Sequence, residues 1–200
     1  MPRLCVAFLS LVVVACAGPS KGEMTFPAAY FRSGESLPPA VPSCTGPIQV
    51  VVTDARPTSS VVGRRFEEEK PTVEYPIKMD GDAVAYVRNG VEKALQAPGG
   101  APAGKASANL AITIAQIAVE EKTFFNAEFT GRISLDGVLT RPASSEPCWS
   151  GRVSGSGRNY GKAGKQINYQ ETLNRALDDA TTQLLKTPGF ADALCGKCSP

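Results

Sequence analysis

The chain has 200 residues, 42% of them hydrophobic, enough for one globular domain plus terminal extensions. Lysine and arginine number 21 against 19 aspartate and glutamate, so no basic surplus favours a nucleic-acid partner. Histidine is absent, which excludes histidine triads, histidine general bases and histidine metal ligands.

The chain starts with a short basic segment, Met-Pro-Arg, followed by an apolar run of 12 residues at 4–15. A bilayer-spanning helix needs about 20 residues, so this run reads as the core of a signal peptide. It ends Val13-Val14-Ala15-Cys16. These residues resemble the lipobox of bacterial lipoproteins: aliphatic, small or aliphatic, small, then cysteine. The resemblance implies a cut before Cys16, a diacylglycerol on its thiol and an acyl chain on its new amino group. Each buried methylene adds about 0.8 kcal/mol of membrane affinity, so two or three chains anchor the protein almost irreversibly. Residue 17 is Ala and not Asp. By the sorting rule of enterobacterial lipoproteins, that implies the periplasmic side of the outer membrane.

Residues 18–47 carry Pro19, Pro27, Pro38, Pro39, Pro42 and Pro47 and show no sustained period. Residues 1–15 are therefore expected to be the signal peptide, and 16–46 a lipid-anchored linker. Phe26, Tyr30 and Phe31 are its exceptions, placed to dock on the domain. Residues 48–53 (IQVVVT) are apolar and β-branched, the pattern of a first strand buried on both faces. Residues 58–70 read as an irregular loop. Residues 72–78 read as a short edge strand, because Pro76 cannot serve in a central ladder.

Residues 80–96 predict the first helix, capped by Asp80 or Asp82, with Val84, Val87, Val91 and Leu95 on one stripe. Ala97 to Gly104 is a flexible stop. Residues 109–121 predict the second strand, and 121–124 a turn. Residues 125–139 predict the third strand, and its alternation is clean. Phe125, Ala127, Phe129, Gly131, Ile133 and Leu135 point one way. Asn126, Glu128, Thr130, Arg132 and Ser134 point the other, onto a wet face. Residues 148–158 predict the fourth strand, with Trp149 and Val153 inward. Gly151, Gly155 and Gly157 weaken it or allow close backbone approach. The second helix lies within 166–186, with Leu173, Leu177, Ala180 and Leu184 on its core face, and Pro188 ends it. Residues 190–194 add a covering turn.

The order strand, helix, three strands, helix predicts an α+β domain over 47–194. It is expected to be a roughly four-stranded, mixed or antiparallel sheet with both helices packed on one face. The lipobox Cys16, the first strand running into Asp54-Ala55-Arg56, residues 109–117, Asn126-Ala127-Glu128 and the helical LNRALDDATTQLL at 173–185 together resemble YajG-type bacterial lipoproteins. The resemblance covers roughly 47–194. It implies an α+β periplasmic domain and supplies no catalytic residues. Similar folds occur in accessory lipoproteins of envelope lipid transporters and in lipoprotein activators of cell-wall synthases.

Cys5 leaves with the signal peptide and Cys16 is the lipidation site. Cys44, Cys148, Cys195 and Cys198 remain in an oxidising compartment, where an even count suggests two disulfides. Both C-terminal cysteines are expected to reach back, one to Cys44 and one to Cys148. Such bridges close loops of about 50 and 150 residues, each contributing roughly 3 to 5 kcal/mol. Local Cys195–Cys198 and Cys44–Cys148 bridges are the alternative. Redox chemistry at Cys195-Gly-Lys-Cys198 in a C-terminal tail, 195–200, is a second alternative, although the motif follows a helix instead of opening one. A four-thiolate zinc site is disfavoured by the single CxxC.

Glu67-Glu68-Glu69 beside Arg64-Arg65 reads as a solvated charge run. Glu120-Glu121 and Glu128 form a carboxylate set across a hairpin with no sign of the burial that catalysis needs. Residues 151–164 (GRVSGSGRNYGKAG) are glycine-rich before a helix, with Lys162 and Lys165 near, but lack phosphate-loop spacing. No cofactor, metal or catalytic residue is expected. The expected function is a membrane-anchored, non-catalytic binding module with an envelope protein as partner. The alternatives are a thiol-redox lipoprotein and a lipid or small-ligand binder accessory to a transporter, the latter predicting an apolar groove between sheet and helices.

Overall fold

The computed structural model describes residues 22–32, 39–67, 70–96, 106–122, 127–142, 144 and 146–198. The expected signal peptide, Cys16 and the glycine-rich stop after the first helix lie outside them. The described elements are β1 (Met24–Pro27), β2 (Ile48–Asp54), β3 (Val61–Glu67), β4 (Lys70–Asp80), α1 (Ala83–Leu95), β5 (Ala108–Lys122), β6 (Ala127–Thr140), β7 (Pro147–Gly161), α2 (Gln166–Lys186) and α3 (Phe190–Leu194). The strands make one mixed sheet in the order β1-β4-β3-β5-β6-β7, with β2 also beside β5. The α+β class stands, but the sheet has seven strands where four were expected.

The additional strands come from segments whose alternation is broken. Met24–Pro27, inside the expected linker, runs parallel to β4 and buries Met24 and Phe26. Val61–Glu67, inside the expected loop, carries a register shift between Val61 and Gly63. Its inward positions are therefore Val62 and Arg65, which no period of two connects. β4 is longer than expected, and Pro76 explains itself. It pairs with Arg64 of β3, whereas β1 begins its pairing one residue later, at Ile77. The strand is an edge at the proline and interior after it.

β2 is not buried on both faces. It lies parallel to β5 from Ile48↔Ala108 to Asp54↔Ile114, and Val51 is 47% exposed. Its apolar run faces helix α1 on one side and solvent on the other, because all helices sit on one face of the sheet. β5 changes its inward parity midway. Leu110, Ile112 and Ile114 point inward, then a register shift between Ile114 and Gln116 turns Ile117, Val119 and Glu121 inward.

Asp82 caps α1, its carboxylate accepting from the Val84 amide at 2.8 Å. Val87, Val91 and Leu95 are buried as their spacing predicts, with Val84 partly so. α2 buries Leu173, Leu177, Ala180 and Leu184 against β6 and β7. Glycines let its backbone come close. A Cβ on Gly155 would stand 2.1 Å from the Ala176 carbonyl oxygen, and one on Gly157 would stand 2.2 Å from that of Thr172. This is the close-approach role of the glycine-rich β7. Phe190 of α3 is fully buried and meets Trp149 edge to face at 4.8 Å. Of the aromatics near the N-terminus, Phe26 stacks on Tyr169 and Tyr30 meets Tyr86, while Phe31 stays exposed.

Candidate functional site

With the helices on one face, alternation sends half the side chains of β5, β6 and β7 to the open face. The registers arrange them in rows. Lys122, Glu128 and Tyr160 share one row; Glu120, Thr130 and Arg158 the next; Ala118, Arg132 and Ser156 the third; Gln116, Ser134 and Ser154 the fourth. Farther along, Asp136 stands opposite Arg152. Tyr160, 66% exposed, is the large apolar body of this face.

Nearly every carboxylate here has an assigned donor. Arg64 reaches over from β3 and donates through Nε and Nη2 to Glu120 Oε1 at 3.2 and 3.0 Å. It also meets Glu74 at 3.4 Å. Arg152 donates to both oxygens of Asp136 at 2.6 and 2.8 Å, and this hydrogen-bonded guanidinium holds the Asp136 carboxyl below its ordinary range. Glu128 accepts from the Tyr160 hydroxyl at 3.4 Å. Arg132 and Arg158 differ from their neighbours: among the described residues neither has an ion-pair partner.

Two grooves adjoin on this face. One, of about 580 Å³, lies where β3, β4 and β5 meet and includes Val61, Arg64, Glu74 and Pro76. The other, of about 570 Å³, crosses β5, β6 and β7 and is lined by Gln116, Glu120, Thr130, Arg132, Ser156 and Arg158, with smaller residues between. Ala118 and Glu120 belong to both.

The inner face holds a buried polar cluster that sequence reasoning missed. Glu121 is 0% exposed and Arg65 5%. Arg65 meets the Glu121 carboxylate at 3.2 and 3.3 Å, the Gly164 amide donates to it at 3.2 Å, and the Tyr169 hydroxyl donates to it as well. Burial, then this hydrogen bond, pushes the Tyr169 phenol well above its ordinary value. The cluster ties the start of α2 to the sheet. The expected set Glu120, Glu121 and Glu128 is divided: Glu120 and Glu128 lie on the open face, Glu121 lies inside, and Glu128 stands opposite Lys122. The parity change in β5 was the signal available for this division. Of the acidic run, Glu68 and Glu69 lie outside the described residues.

A second such cluster joins the N-terminal segment to the helices. Tyr30 donates to Asp178 at 2.6 Å and Tyr86 to Asn174 at 3.0 Å. Burial is the first cause of the raised pKa of both phenols, and for Tyr30 the Asp178 hydrogen bond adds to it.

The structure joins Cys44 to Cys195 and Cys148 to Cys198, with Cα atoms 5.2 and 4.6 Å apart. Arg141 reinforces the same end, donating to the Ser107 carbonyl at 2.8 Å and to the Leu194 and Ala193 carbonyls that close α3. The glycine-rich segment 151–164 is followed by Lys165, which takes the N-cap position of α2 without a side-chain cap, and the Gly164 amide is spent on Glu121. Among the described residues no three His, Cys, Asp or Glu side chains are grouped to hold a metal ion. Nor, among them, is any helix long and apolar enough to cross a membrane.

No family model matches the chain, and no curated protein does. Among solved structures, a Xanthomonas campestris protein of the DUF330 family superposes with a TM-score of 0.56 at 14% identity, covering 87% of this chain and 97% of that one. The two share a fold. A candidate lipoprotein from Caulobacter crescentus CB15 aligns with a TM-score of 0.42 and 22% identity over 59% of this chain and 87% of its own. At 14% identity the first likeness speaks of architecture alone, and architecture does not fix function.

Proposed function

We propose that this chain is a lipid-tethered envelope protein that works by binding, without chemistry of its own. Its anchor is Cys16, and its working surface is the open face of the sheet. The carrying observation is the one-sided architecture. All three described helices lie on one face, while the other presents two adjoining grooves, Tyr160 and a set of charged side chains. An exposed aromatic beside arginines is the composition that concentrates binding energy at interfaces. The Ala17 position supports delivery to the outer membrane, facing the periplasm.

Two experiments test this. Metabolic labelling with a palmitate analogue should mark the wild-type chain and not Cys16→Ser. A photo-crosslinker at Tyr160 should trap one dominant envelope protein in living cells, whereas the same probe at Ile167, on the exposed side of α2, should not. Equal crosslinking from both positions, or specific turnover by the purified protein, would overturn the reading. The thiol-redox alternative has lost ground, because Cys195 and Cys198 belong to different bridges.

A further inference from the structure

We propose that the groove across β5, β6 and β7 binds a phosphate group through Arg132 and Arg158. This rests on the reading of the open face as the working surface, and it names the chemistry of the ligand. Arg132 stands opposite Ser156, and Arg158 opposite Thr130, on adjacent strands. The two arginines are therefore diagonal neighbours on one face, a separation that long side chains bridge.

The charges around them are arranged to leave these two open. The flanking Arg64 and Arg152 are saturated by Glu120, Glu74 and Asp136. Glu128 is turned to Tyr160. Asp179, at the strand edge, accepts from the Ser156 amide at 2.9 Å and from Gln183 at 3.2 Å. Glu120 lines the groove, but its Oε1 already accepts twice from Arg64. Two guanidinium forks remain, with the Thr130 hydroxyl and the Gln116 amide in the same wall, while the Ser156 hydroxyl is turned to Asp179 at 3.5 Å.

Guanidinium forks match phosphate and carboxylate oxygens in pairs. A carboxylate carries one negative charge and would leave one arginine uncompensated. A phosphate monoester carries about −1.5 to −2 and three acceptor oxygens, which suits two cations and neutral donors. The 570 Å³ volume admits a group larger than the bare ion.

The test uses the full lipidated chain in neutral detergent, titrated calorimetrically with inorganic phosphate and with soluble short-chain phosphatidic acid. Saturable binding of either probe is expected. Arg132→Gln and Arg158→Gln should each weaken it about tenfold, the usual worth of a hydrogen bond to a charged group. Arg152→Gln, whose parent side chain is already paired, should leave it within about twofold. Tighter binding of the phosphatidic acid assigns the site to lipid headgroups; equal binding assigns it to free phosphate compounds. Absence of binding by both probes, or undiminished binding by the Arg132→Gln/Arg158→Gln double variant, overturns the proposal. If crosslinking from Tyr160 still traps its partner in that case, only the phosphate site has failed. If crosslinking fails too, the reading of the open face has fallen with it.

Discussion

Replacing Gly155 by alanine tests whether α2 is seated on β7 by bare backbone. The new Cβ would stand 2.1 Å from both the Ala176 carbonyl oxygen and the Ala180 amide nitrogen. Neither atom can move alone, so α2 must lift as a unit from the strand. Gly155 lies outside the positive-φ glycines, so alanine meets no backbone strain of its own there. Overpacking of this kind costs about 3 kcal/mol, the upper end of the usual range. Restricting the unfolded chain returns about 0.4–1 kcal/mol, leaving a net loss of about 2 kcal/mol. For a chain of this size the melting temperature should fall by about 4–8 °C. Gly137→Ala is the comparison. Its Cβ would meet the Trp149 ring at 2.9 and 3.3 Å, a side chain that can yield. It should cost about 1 kcal/mol or less. Thermal unfolding followed by circular dichroism, on oxidised protein, ranks the two. A Gly155→Ala protein melting within about 1 °C of the parent, or below which Gly137→Ala falls, would refute the seating of α2.

Glu121→Gln leaves Arg65 buried beside a neutral group and should cost about 3–5 kcal/mol in urea unfolding, whereas Tyr169→Phe, which removes one donor, should cost about 1–3 kcal/mol. The Cys44–Cys195 bridge spans a separation of 151 residues and Cys148–Cys198 one of 50. In the chain-entropy model they contribute about 5 and about 4 kcal/mol, so the Cys44→Ser/Cys195→Ser protein should be the less stable of the two double variants. Tyr30, Tyr86 and Tyr169 all have raised folded-state pKa values. An unfolded tyrosine ionises near about 10, so their stabilising effect is complete below that pH. It is lost as the pH climbs toward the folded values, because only the unfolded chain then releases protons. Phenolate absorbance from these three should rise only together with loss of the circular dichroism signal; full ionisation of all five tyrosines in a still-native protein would contradict it.

The elements with an unbroken period were legible. β6 alternates without interruption from Ala127, and α1 and α2 keep their stripes, so their ends fall near the expected positions. What the sequence concealed is tied to irregularity. β3 hides behind a register shift and an inward arginine. β1 is only four residues long and ends in proline, too short for any period to emerge from a segment that reads as a linker. β5 shows its bulge as a change of apolar parity, from Leu110, Ile112 and Ile114 to Ile117 and Val119. That one extra residue sends Glu120 outward to Arg64 and Glu121 inward to Arg65 and Tyr169. The buried cluster and the Arg64–Glu120 pair on the open face both follow from it. The phosphate groove was hidden for another reason: Arg132 and Arg158 sit on different strands, and only the β6–β7 register makes them neighbours.

The same geometry decides where a ligand has room. A lipid binder built around an apolar groove between sheet and helices needs space along α2. Gly131, Gly155 and Gly157 close that space: a single methyl on any of them would meet α2 atoms at 2.9 Å or less. Burial of Phe129, Leu173 and Leu177 at 0% exposure fills the layer behind them. The exposed edge of β7 is also partly occupied, since Asp179 takes the Ser156 amide and Arg175 donates to the Arg158 carbonyl. These two contacts block strand addition at that point while leaving the Ser156 and Arg158 side chains on the open face, where both line the groove. α2 thus leaves no room for a ligand where it crosses Gly131, Gly155 and Gly157 and shields part of the β7 edge, whereas the opposite face of the same strands carries an open groove.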